Sequence, residues 1–366
     1  MPRAAPIFTT FNAGEWTPHL WGRVDLQKYP NACRTLVNFL PLPQGAAQRR
    51  PGTRFVAETA ANGVARLIPF EFSTAQAYAI EAGSLYFRFY RDGGRIESPP
   101  GTSIEVATPY SASQINGLKW AQSADVLYLC HSAHAPRKLS RTSHTNWTFS
   151  VLSQTDGPYL DSNVDAAKTL QASATTVGSS ITLTAAGHSP FASTDVGRHV
   201  RLRVGGTWGW VKITAFGSST SVTATVMSVL GGVTATSEWR LGAWSDTTGW
   251  PTCVTFHEER LFLAGNASQP QTFWASVSGD YENFAPSTVA GQVTADSALT
   301  FTISDDRVNA VRWLSAGRVL SVGTTGGEFA VQASTLNESL TPDNIAVRRE
   351  TTIGSADESA VRIGTA

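Results

Sequence analysis

Leu67-Ile68-Pro69-Phe70-Glu71-Phe72 begins a pattern that returns three more times along the chain. The later copies are Gly117-Leu118-Lys119-Trp120, Cys253-Val254-Thr255-Phe256 and Ala310-Val311-Arg312-Trp313. A second apolar run follows each copy, at residues 77–80, 126–130, 261–264 and 319–322. Each copy therefore predicts two strands joined by a polar turn.

The distances between these copies indicate the fold class. With Phe70, Trp120, Phe256 and Trp313 as anchors, the spacings are 50, 136 and 57 residues. Repeats of roughly 40–50 residues made of short strands are typical of a β-propeller or a related array. Because one such unit cannot bury its apolar face alone, we expect the copies to lie side by side, with the four anchors in similar environments.

The long interval predicts an insertion between the second and third copies, because it exceeds the first spacing by 86 residues. The stretch from Tyr159 to Trp244 is rich in Thr, Ser, Val, Ala and Gly. Its short alternating runs, separated by glycine pairs such as Gly205-Gly206, are typical of strands in hairpins. The runs lie at residues 181–184, 200–204, 210–215, 221–227 and 237–241. We expect a small β-sandwich or barrel.

The sequence thus predicts an all-β chain with four parts. Residues 1–57 form an irregular N-terminal arm, 58–158 hold repeats 1 and 2, 159–244 are the inserted β domain, and 245–366 hold repeats 3 and 4. A fifth copy begins at Val361-Arg362-Ile363. A propeller needs circular closure, and two routes stay open: a terminal strand completes the first blade, or the chain continues in a longer product.

Composition excludes some classes of function. The 366 residues have a formal net charge of zero and a pI near 7.1, which lacks the basic footprint of a tight nucleic-acid binder. The neutral net charge is still compatible with a surface along which DNA slides, because sliding needs only weak contacts. Three cysteines are too few and scattered for a disulfide framework, so Cys130 and Cys253 are expected as buried free thiols in a reducing compartment. No apolar run suits a signal peptide or membrane span, so a soluble protein is expected.

The arm is interrupted repeatedly by proline and has little periodicity. Only residues 26–40 suit a short helix, with Asp25 as its N-cap. One interpretation is an irregular segment packed on the first repeat. The other is an arm that docks onto another subunit through aromatic anchors, by strand addition or pocket filling. The anchors are Phe11, Trp16, Trp21 and Phe39.

Arg49, Arg50 and Arg54 form the only compact basic group of the sequence. They read either as a solvated or carboxylate-paired loop, or as a contact with a neighbouring protein, where arginine binds acids bidentately. We favour the protein contact over DNA binding.

Several motifs together resemble one family. In the arm, Phe11-Asn12-Ala13-Gly14-Glu15 is followed by motifs at residues 22–26, 28–29, 33–36, 38–39, 43–45 and 50–53. Later motifs lie at residues 195–198, 208–210, 239–245, 249–261, 278–284 and 325–329. Together they span most of the chain and resemble the tail nozzle proteins, or tail tubular protein B, of short-tailed bacteriophages.

That resemblance implies a structural role in the virion tail, after assembly in the cytoplasm of the host bacterium. Tail nozzle proteins form a sixfold ring on a β-propeller with inserted domains, below the portal and adaptor rings. The expected partners are identical subunits in a hexamer, the adaptor or portal ring, tail fibres or distal tail proteins, and double-stranded DNA passing non-specifically through the lumen. The ring retains the genome and opens during ejection, without inserting into a membrane.

No catalytic constellation emerges from the sequence, so we expect no enzyme, cofactor or metal. Neither a nucleophile elbow nor a phosphate-binding loop is present. Cys130-His131 with His134 lacks a fourth ligand. Glu258-Glu259 and Asp305-Asp306 read as solvated turn acids, whereas a glycosidase needs two carboxylates held across a cleft.

Two alternatives stay open: a carbohydrate-binding or polysaccharide-degrading β-propeller, and a β-repeat scaffold of a bacterial host. The tryptophans in and beside the insertion bear on the first. They read as core of the small β domain, as a subunit contact or as a sugar-stacking platform. They are Trp208, Trp210, Trp239, Trp244 and Trp250.

Overall fold

The chain is all-β in a computed structural model that describes residues 7–305, 309–335 and 338–361. Strands hold 43% of the residues and helical turns 4%. Its 3-10 turns are Pro18–Leu20, Tyr29–Asn31, Ala60–Asn62, Ile115–Gly117 and Ser193–Asp195. Across the described residues, no helix is long and apolar enough to cross a membrane. Arg362 and Ile363, where the fifth copy was expected, lie outside the described residues.

Two compact units make up the chain, Met1–Ala57 and Glu58–Ala366. In the arm, β1 (Gly14–Glu15) pairs in parallel with β2 (Ala32–Cys33), and β3 (Phe39–Pro41) pairs antiparallel with β4 (Ala47–Arg49). The helix predicted over residues 26–40 is wrong. The single turn at Tyr29–Asn31 gives way to β2, and Asn38 has a φ of 64°, a left-handed conformation that no α-helix accommodates.

The second unit begins with two antiparallel meanders. The first sheet comprises β5 (Arg66–Ser73), β6 (Gln76–Gly83) and β7 (Tyr86–Arg91), and two short strands, β8 (Gly94–Arg95) and β9 (Glu105–Ala107), both pair with β7. The second sheet runs in chain order through β10 (Lys119–Ser123), β11 (Val126–His131), β12 (His134–Arg141) and β13 (Trp147–Val151). The first and second predicted strand pairs are therefore confirmed, as β5 with β6 and β10 with β11.

The insertion forms a six-stranded, nearly closed barrel-like sheet in the order β14-β15-β18-β17-β16-β19. A bridge from Leu170 to Thr236, just before β19, brings the two edge strands together. Each of the five predicted runs overlaps a strand, although Met227, Ser237 and Glu238 lie outside the strands, and β14 was not predicted. The strands are β14 (Thr169–Ala172), β15 (Ser180–Ala186), β16 (His199–Val204), β17 (Thr207–Ser218), β18 (Ser221–Val226) and β19 (Trp239–Leu241).

The two ends of this inserted barrel leave the remainder of the chain side by side. The Leu160 N–H donates to the Leu241 carbonyl at 2.8 Å, and the Ala243 N–H donates to the Pro158 carbonyl at 2.9 Å. Between β16 and β17, Gly205 and Gly206 have φ values of 57° and 81°. Two successive residues in this region make the tight hairpin turn that the glycine pair predicted.

Two further antiparallel meanders follow the barrel. The third sheet comprises β20 (Cys253–His257), β21 (Arg260–Ala264), β22 (Thr272–Ala275) and β23 (Leu299–Thr302). The fourth sheet comprises β24 (Val311–Ala316), β25 (Leu320–Thr324), β26 (Glu328–Ala333) and β27 (Ile345–Thr351). The third and fourth predicted strand pairs are therefore confirmed as well.

The four sheets stack face to face in chain order. Phe70 and Phe89 of the first sheet meet Trp147 of the second, whose ring stacks on Phe89 with centroids 4.1 Å apart. A second cluster joins the second and third sheets, and a third joins the third and fourth. Among the described residues, no such cluster joins the fourth sheet to the first. The sheets thus bury their apolar side chains between neighbouring sheets, as predicted for repeats that cannot bury an apolar face alone.

The four anchors share a strand position but not an environment. Each lies in the first strand of its sheet. Phe70 faces the second sheet, whereas Trp120 packs against the same cluster from the opposite side. Phe256 also faces the second sheet, and Trp313 covers Gly323. The expectation of similar environments is wrong, because side chains alternate along a strand and a one-residue offset reverses the face.

The insertion's tryptophans do not share one core either. Trp239 lies in the barrel core, whereas Trp244 lies between the second and third sheets, 5.4 Å from Trp274. Trp210 faces out of the barrel and packs on His199, with ring centroids 4.4 Å apart. Of the three readings, core of the small β domain therefore applies to Trp239 but not to Trp210 or Trp244. The prediction for Cys130 and Cys253 is confirmed, since both are buried and free.

Candidate functional site

An aromatic cavity lies within the arm and has a volume of about 330 Å³. The Trp21 indole N–H donates to the Trp16 carbonyl at 3.0 Å, and the Tyr29 hydroxyl donates to the Trp21 carbonyl at 3.0 Å. The Trp16 indole N–H donates to Ala13. Both indole N–H groups therefore have hydrogen-bond partners inside the arm. The lining is Phe8, Trp16, Trp21, Tyr29, Pro30, Ala32, Cys33 and Arg34.

One cation completes this cavity. The Arg34 guanidinium lies 4.3 Å from the centroid of the Trp21 ring, and that side chain remains 39% exposed. A cation over an exposed indole contributes about 0.5–1 kcal/mol, which helps to hold the Arg34 side chain against the Trp21 ring. The cavity therefore presents a flat aromatic surface with positive charge at its edge.

The β3–β4 hairpin carries Phe39 and Arg49, and Arg50 follows directly after β4, whereas Arg54 lies further along the arm outside any strand. Phe39, which is 45% exposed, lies opposite Arg49 in the strand pair. Arg50 donates to the Asn38 side-chain oxygen at 2.7 Å. In the described part of the chain, no carboxylate lies within 4 Å of Arg49, Arg50 or Arg54. Of the two interpretations of this basic group, a carboxylate-paired loop is therefore not found among the described residues.

The structure brings together only some of the predicted set. Trp16 and Trp21 share the cavity, whereas Phe39, Arg49 and Arg50 share the hairpin. Phe11 belongs to neither: it is half-buried, and its N–H donates to the Gly45 carbonyl at 2.7 Å. The cavity residues Phe8 and Arg34 were missed as site residues, because only the family motif at residues 33–36 marked either of them.

Burial and charge distinguish the arm from the remainder of the chain. Of residues 7–57, only Gly45 is buried. Residues 1–57 carry seven Lys and Arg against two Asp and Glu, whereas residues 58–366 carry 21 against 26. The arm segment is therefore net +5 and the remainder net −5. Exposed aromatic rings together with uncompensated basic charge are features of a binding surface.

Lys119 connects three of the stacked sheets. Its ammonium group, in the second sheet, donates to the Arg312 carbonyl in the fourth and lies 3.7 Å from the Cys253 thiol in the third. It also pairs with Asp357 in the segment after β27. Burial raises the pKa of the Cys253 thiol, which favours its protonated form.

A polar cavity of about 370 Å³ is the closest match to the carbohydrate alternative. It contains two carboxylates, Glu258 and Glu338, together with Arg318 and Arg348. Glu258 already accepts the Leu340 N–H at 2.6 Å. One of its carboxylates is thus occupied by the backbone, although both acids do lie in one cleft.

Two histidines of the second sheet, His131 in β11 and His134 in β12, form a compact pair. Their ring centroids are 5.5 Å apart. Burial lowers the pKa of both side chains, and the charge of His134 lowers that of His131 further. Within residues 7–305, 309–335 and 338–361, no three His, Cys, Asp or Glu side chains converge on one point. The pair is therefore neutral at pH 7 and packs against Tyr110.

Comparison of the chain with models of known protein families and with curated proteins found no match. The likeness to tail nozzle proteins accordingly depends on the motifs alone. Any function drawn from it is a proposal about this chain.

Proposed function

We propose that this chain is one protomer of a phage tail nozzle ring, a structural protein that continues the DNA channel below the portal and adaptor and gates genome ejection. The observation that carries the proposal is the arm, which is basic, rich in exposed aromatic rings and almost free of buried residues. Such a segment gains little by folding alone, and it suits attachment to another molecule.

The charge asymmetry supports a ring of identical chains. Cyclic symmetry requires two different patches on each subunit, one complementary to the other. An arm of net +5 and a body of net −5 meet that requirement within one sequence. Opposite potentials also speed association and select the correct partner. The hexamer itself is taken from the resemblance.

The sheet stack supports a propeller-type subunit. β20 lies beside both β10 and β24, so the first strands of successive sheets are neighbours. This is the arrangement expected of blades around an axis. In the proposal, the outer faces of the first and fourth sheets come together or are covered by an adjoining part of the particle.

The charge that remains after assembly suits a DNA channel. Once the arm is engaged by protein, the rest of the subunit is net acidic. Acidic walls repel phosphates instead of collecting them, so DNA passes without being held. Retention is then mechanical, by loops that close the lumen and move aside during ejection.

Mass photometry and negative-stain electron microscopy of the purified chain test this proposal. We expect rings whose mass is a multiple of the 39.1 kDa chain, six in the simplest case. A truncated chain that begins at Glu58 should remain folded but fail to assemble. A strictly monomeric full-length chain that is absent from virions would contradict the proposal.

The carbohydrate alternative has one observation in its favour, the cleft that holds Glu258 and Glu338. A glycan array and a polysaccharide-cleavage assay on the monomer separate the two functions. Cleavage that is lost in both Glu258→Gln and Glu338→Gln would favour an enzyme. Ring formation without glycan binding favours the nozzle.

A further inference from the structure

Two arginines face each other on the outside of the inserted barrel. Arg201 of β16 lies directly opposite Arg240 of β19 in the antiparallel register. Their guanidinium carbons lie 5.1 Å and 5.7 Å from the centroid of the Trp208 ring. Like charges directly opposite on paired strands are destabilising, so this pair needs a compensating partner.

The protein compensates these charges only in part. Arg201 is 3% exposed, and its Nη2 donates to the Ser287 carbonyl at 2.8 Å, a neutral acceptor. The Nε of Arg240 is buried and has no hydrogen-bond partner in the described structure. Burial lowers the pKa of Arg240, and the charge of Arg201 lowers it further.

Two carboxylates lie nearby without forming ion pairs with these arginines. Asp156 is within electrostatic range of Arg201, but it accepts the Tyr159 hydroxyl and burial raises its pKa. Asp161 influences Arg240 from an exposed position. Among the described residues, neither arginine has a carboxylate within 4 Å. The guanidinium of Arg240 therefore has no anionic partner among the described residues.

A cavity of about 280 Å³ is lined by Arg240 together with Tyr159 and Asp161. Apart from Thr300, the remainder of its lining is apolar. That part includes Pro286, Val293, Leu299, Phe301, Pro342 and Ile345. The volume suits a small organic molecule, and the mixed lining suits an amphipathic one.

We propose that this cavity binds a small organic monocarboxylate with an apolar or aromatic body. The carboxylate pairs with the planar fork of Arg240, to which its geometry is matched. The apolar body lies against Leu299, Phe301 and Ile345. A multiply charged anion is disfavoured because Asp161 stands at the same wall, and a sugar is disfavoured because the apolar wall leaves its hydroxyls without partners.

Isothermal titration of the full chain with phenylacetate tests this site. We expect saturable binding, at least about tenfold weaker in Arg240→Gln, because the charge-assisted pair is lost. Phenylacetamide, which has the same body without the charge, should bind at least tenfold more weakly than phenylacetate. Arg203→Gln is the matched control, because Arg203 lies on β16, the strand that pairs with β19, but forms an ion pair with the exposed Glu238. It should bind phenylacetate as the unmodified chain does.

A second variant keeps the test decisive if Arg240→Gln fails to fold. Val293→Glu places a carboxylate at the cavity wall from a side chain that is 51% exposed, and it should also weaken phenylacetate binding. A melting temperature of Arg240→Gln at or above that of the unmodified chain fits a ligand role, since removing one of two like charges relieves repulsion. The proposal is overturned if phenylacetate does not bind, if both variants bind it normally, or if acetate and sulfate bind as tightly.

Discussion

The arm and the first two sheets contain similar aromatic side chains and use them in opposite ways. In the sheets, Trp147 is 7% exposed and lies between Phe70, Tyr78 and Phe89. In the arm, Trp21 is 39% exposed, and the Arg34 guanidinium lies over its ring. The difference comes from the chain around them, because the sheets supply a second apolar layer and the arm does not.

This comparison separates residues that hold the fold from residues that are free to bind. A ring enclosed on both sides contributes to the free energy of unfolding and cannot reach a partner. A ring left at the surface contributes little to folding, and it keeps its apolar area for association. The four predictions below test that division.

The largest effect is expected from truncating the same residue type in both regions. Trp147→Ala should lower the free energy of unfolding by about 3–5 kcal/mol, because it leaves a cavity among rings that cannot collapse. Trp21→Ala should change it by less than about 1 kcal/mol. Urea denaturation followed by circular dichroism measures both. Equal losses would mean that the arm has a core of its own.

The next effect concerns cations. Lys119→Ala should lower the free energy of unfolding by about 1–3 kcal/mol, because the Arg312 carbonyl loses its buried donor. In the arm, Arg50→Ala removes a donor from an exposed Asn38 and should cost below about 0.5 kcal/mol. Thermal denaturation of the two variants provides the comparison. A Lys119→Ala chain as stable as the unmodified one would show that the contact between sheets is dispensable.

A pH profile tests burial without changing a contact. Burial lowers the pKa of His199 from 6.5 to about 3, with the Lys212 charge acting in the same direction. Below pH 6.5 the unfolded chain takes up a proton that the folded chain refuses, so stability is complete above that pH and falls toward pH 3. We expect a loss of about 2 kcal/mol between pH 6.5 and 4.5.

The His199→Gln variant should flatten this part of the profile, while a chain that begins at Glu58 should keep it. Urea titrations at half-unit pH steps give the slope. If His199→Gln leaves the slope unchanged, other groups dominate the acid sensitivity and His199 is charged without penalty.

The smallest effect compares two glycines with open space around them. A Cβ at Gly206 meets no atom within 4 Å, but its φ of 81° disfavours any L side chain. Gly206→Ala should therefore lower the free energy of unfolding by about 1–2 kcal/mol. Gly52 in the arm has equal space and no positive φ, so Gly52→Ala should be neutral. Matching losses would assign the effect to something other than backbone conformation.

The strand pairs were predictable from sequence, but the direction of their side chains was not. A strand buried on one face alternates, whereas β21 is buried along its whole length from Arg260 to Ala264. Because β21 has neighbours on both faces, its sequence does not alternate and does not indicate which residues face which neighbouring sheet. The strands of Phe70 and Trp120 were located correctly as well, but their facing was misjudged, because an offset of one residue reverses the face of a side chain.

Sites that depend on distant pairing were beyond the sequence as well. Arg201 and Arg240 become neighbours only through the register of β16 and β19, and no local pattern encodes that register. In the arm, the cavity around Trp16 and Trp21 needs Phe8 and Arg34, whose spacing follows no period. Where backbone geometry is irregular, residue order alone does not say which side chains meet.

The chain enters and leaves the inserted barrel at the same place, where Leu160 is hydrogen-bonded to Leu241 and Ala243 to Pro158. These two hydrogen bonds form the stem of the barrel. A segment attached in this way can be lengthened, exchanged or deleted without altering the order of the flanking meanders. Related chains are free to carry quite different modules at this point while keeping a common frame. A fluorescent reporter domain could be inserted at the same stem, and its emission would report the position of the flanking sheets.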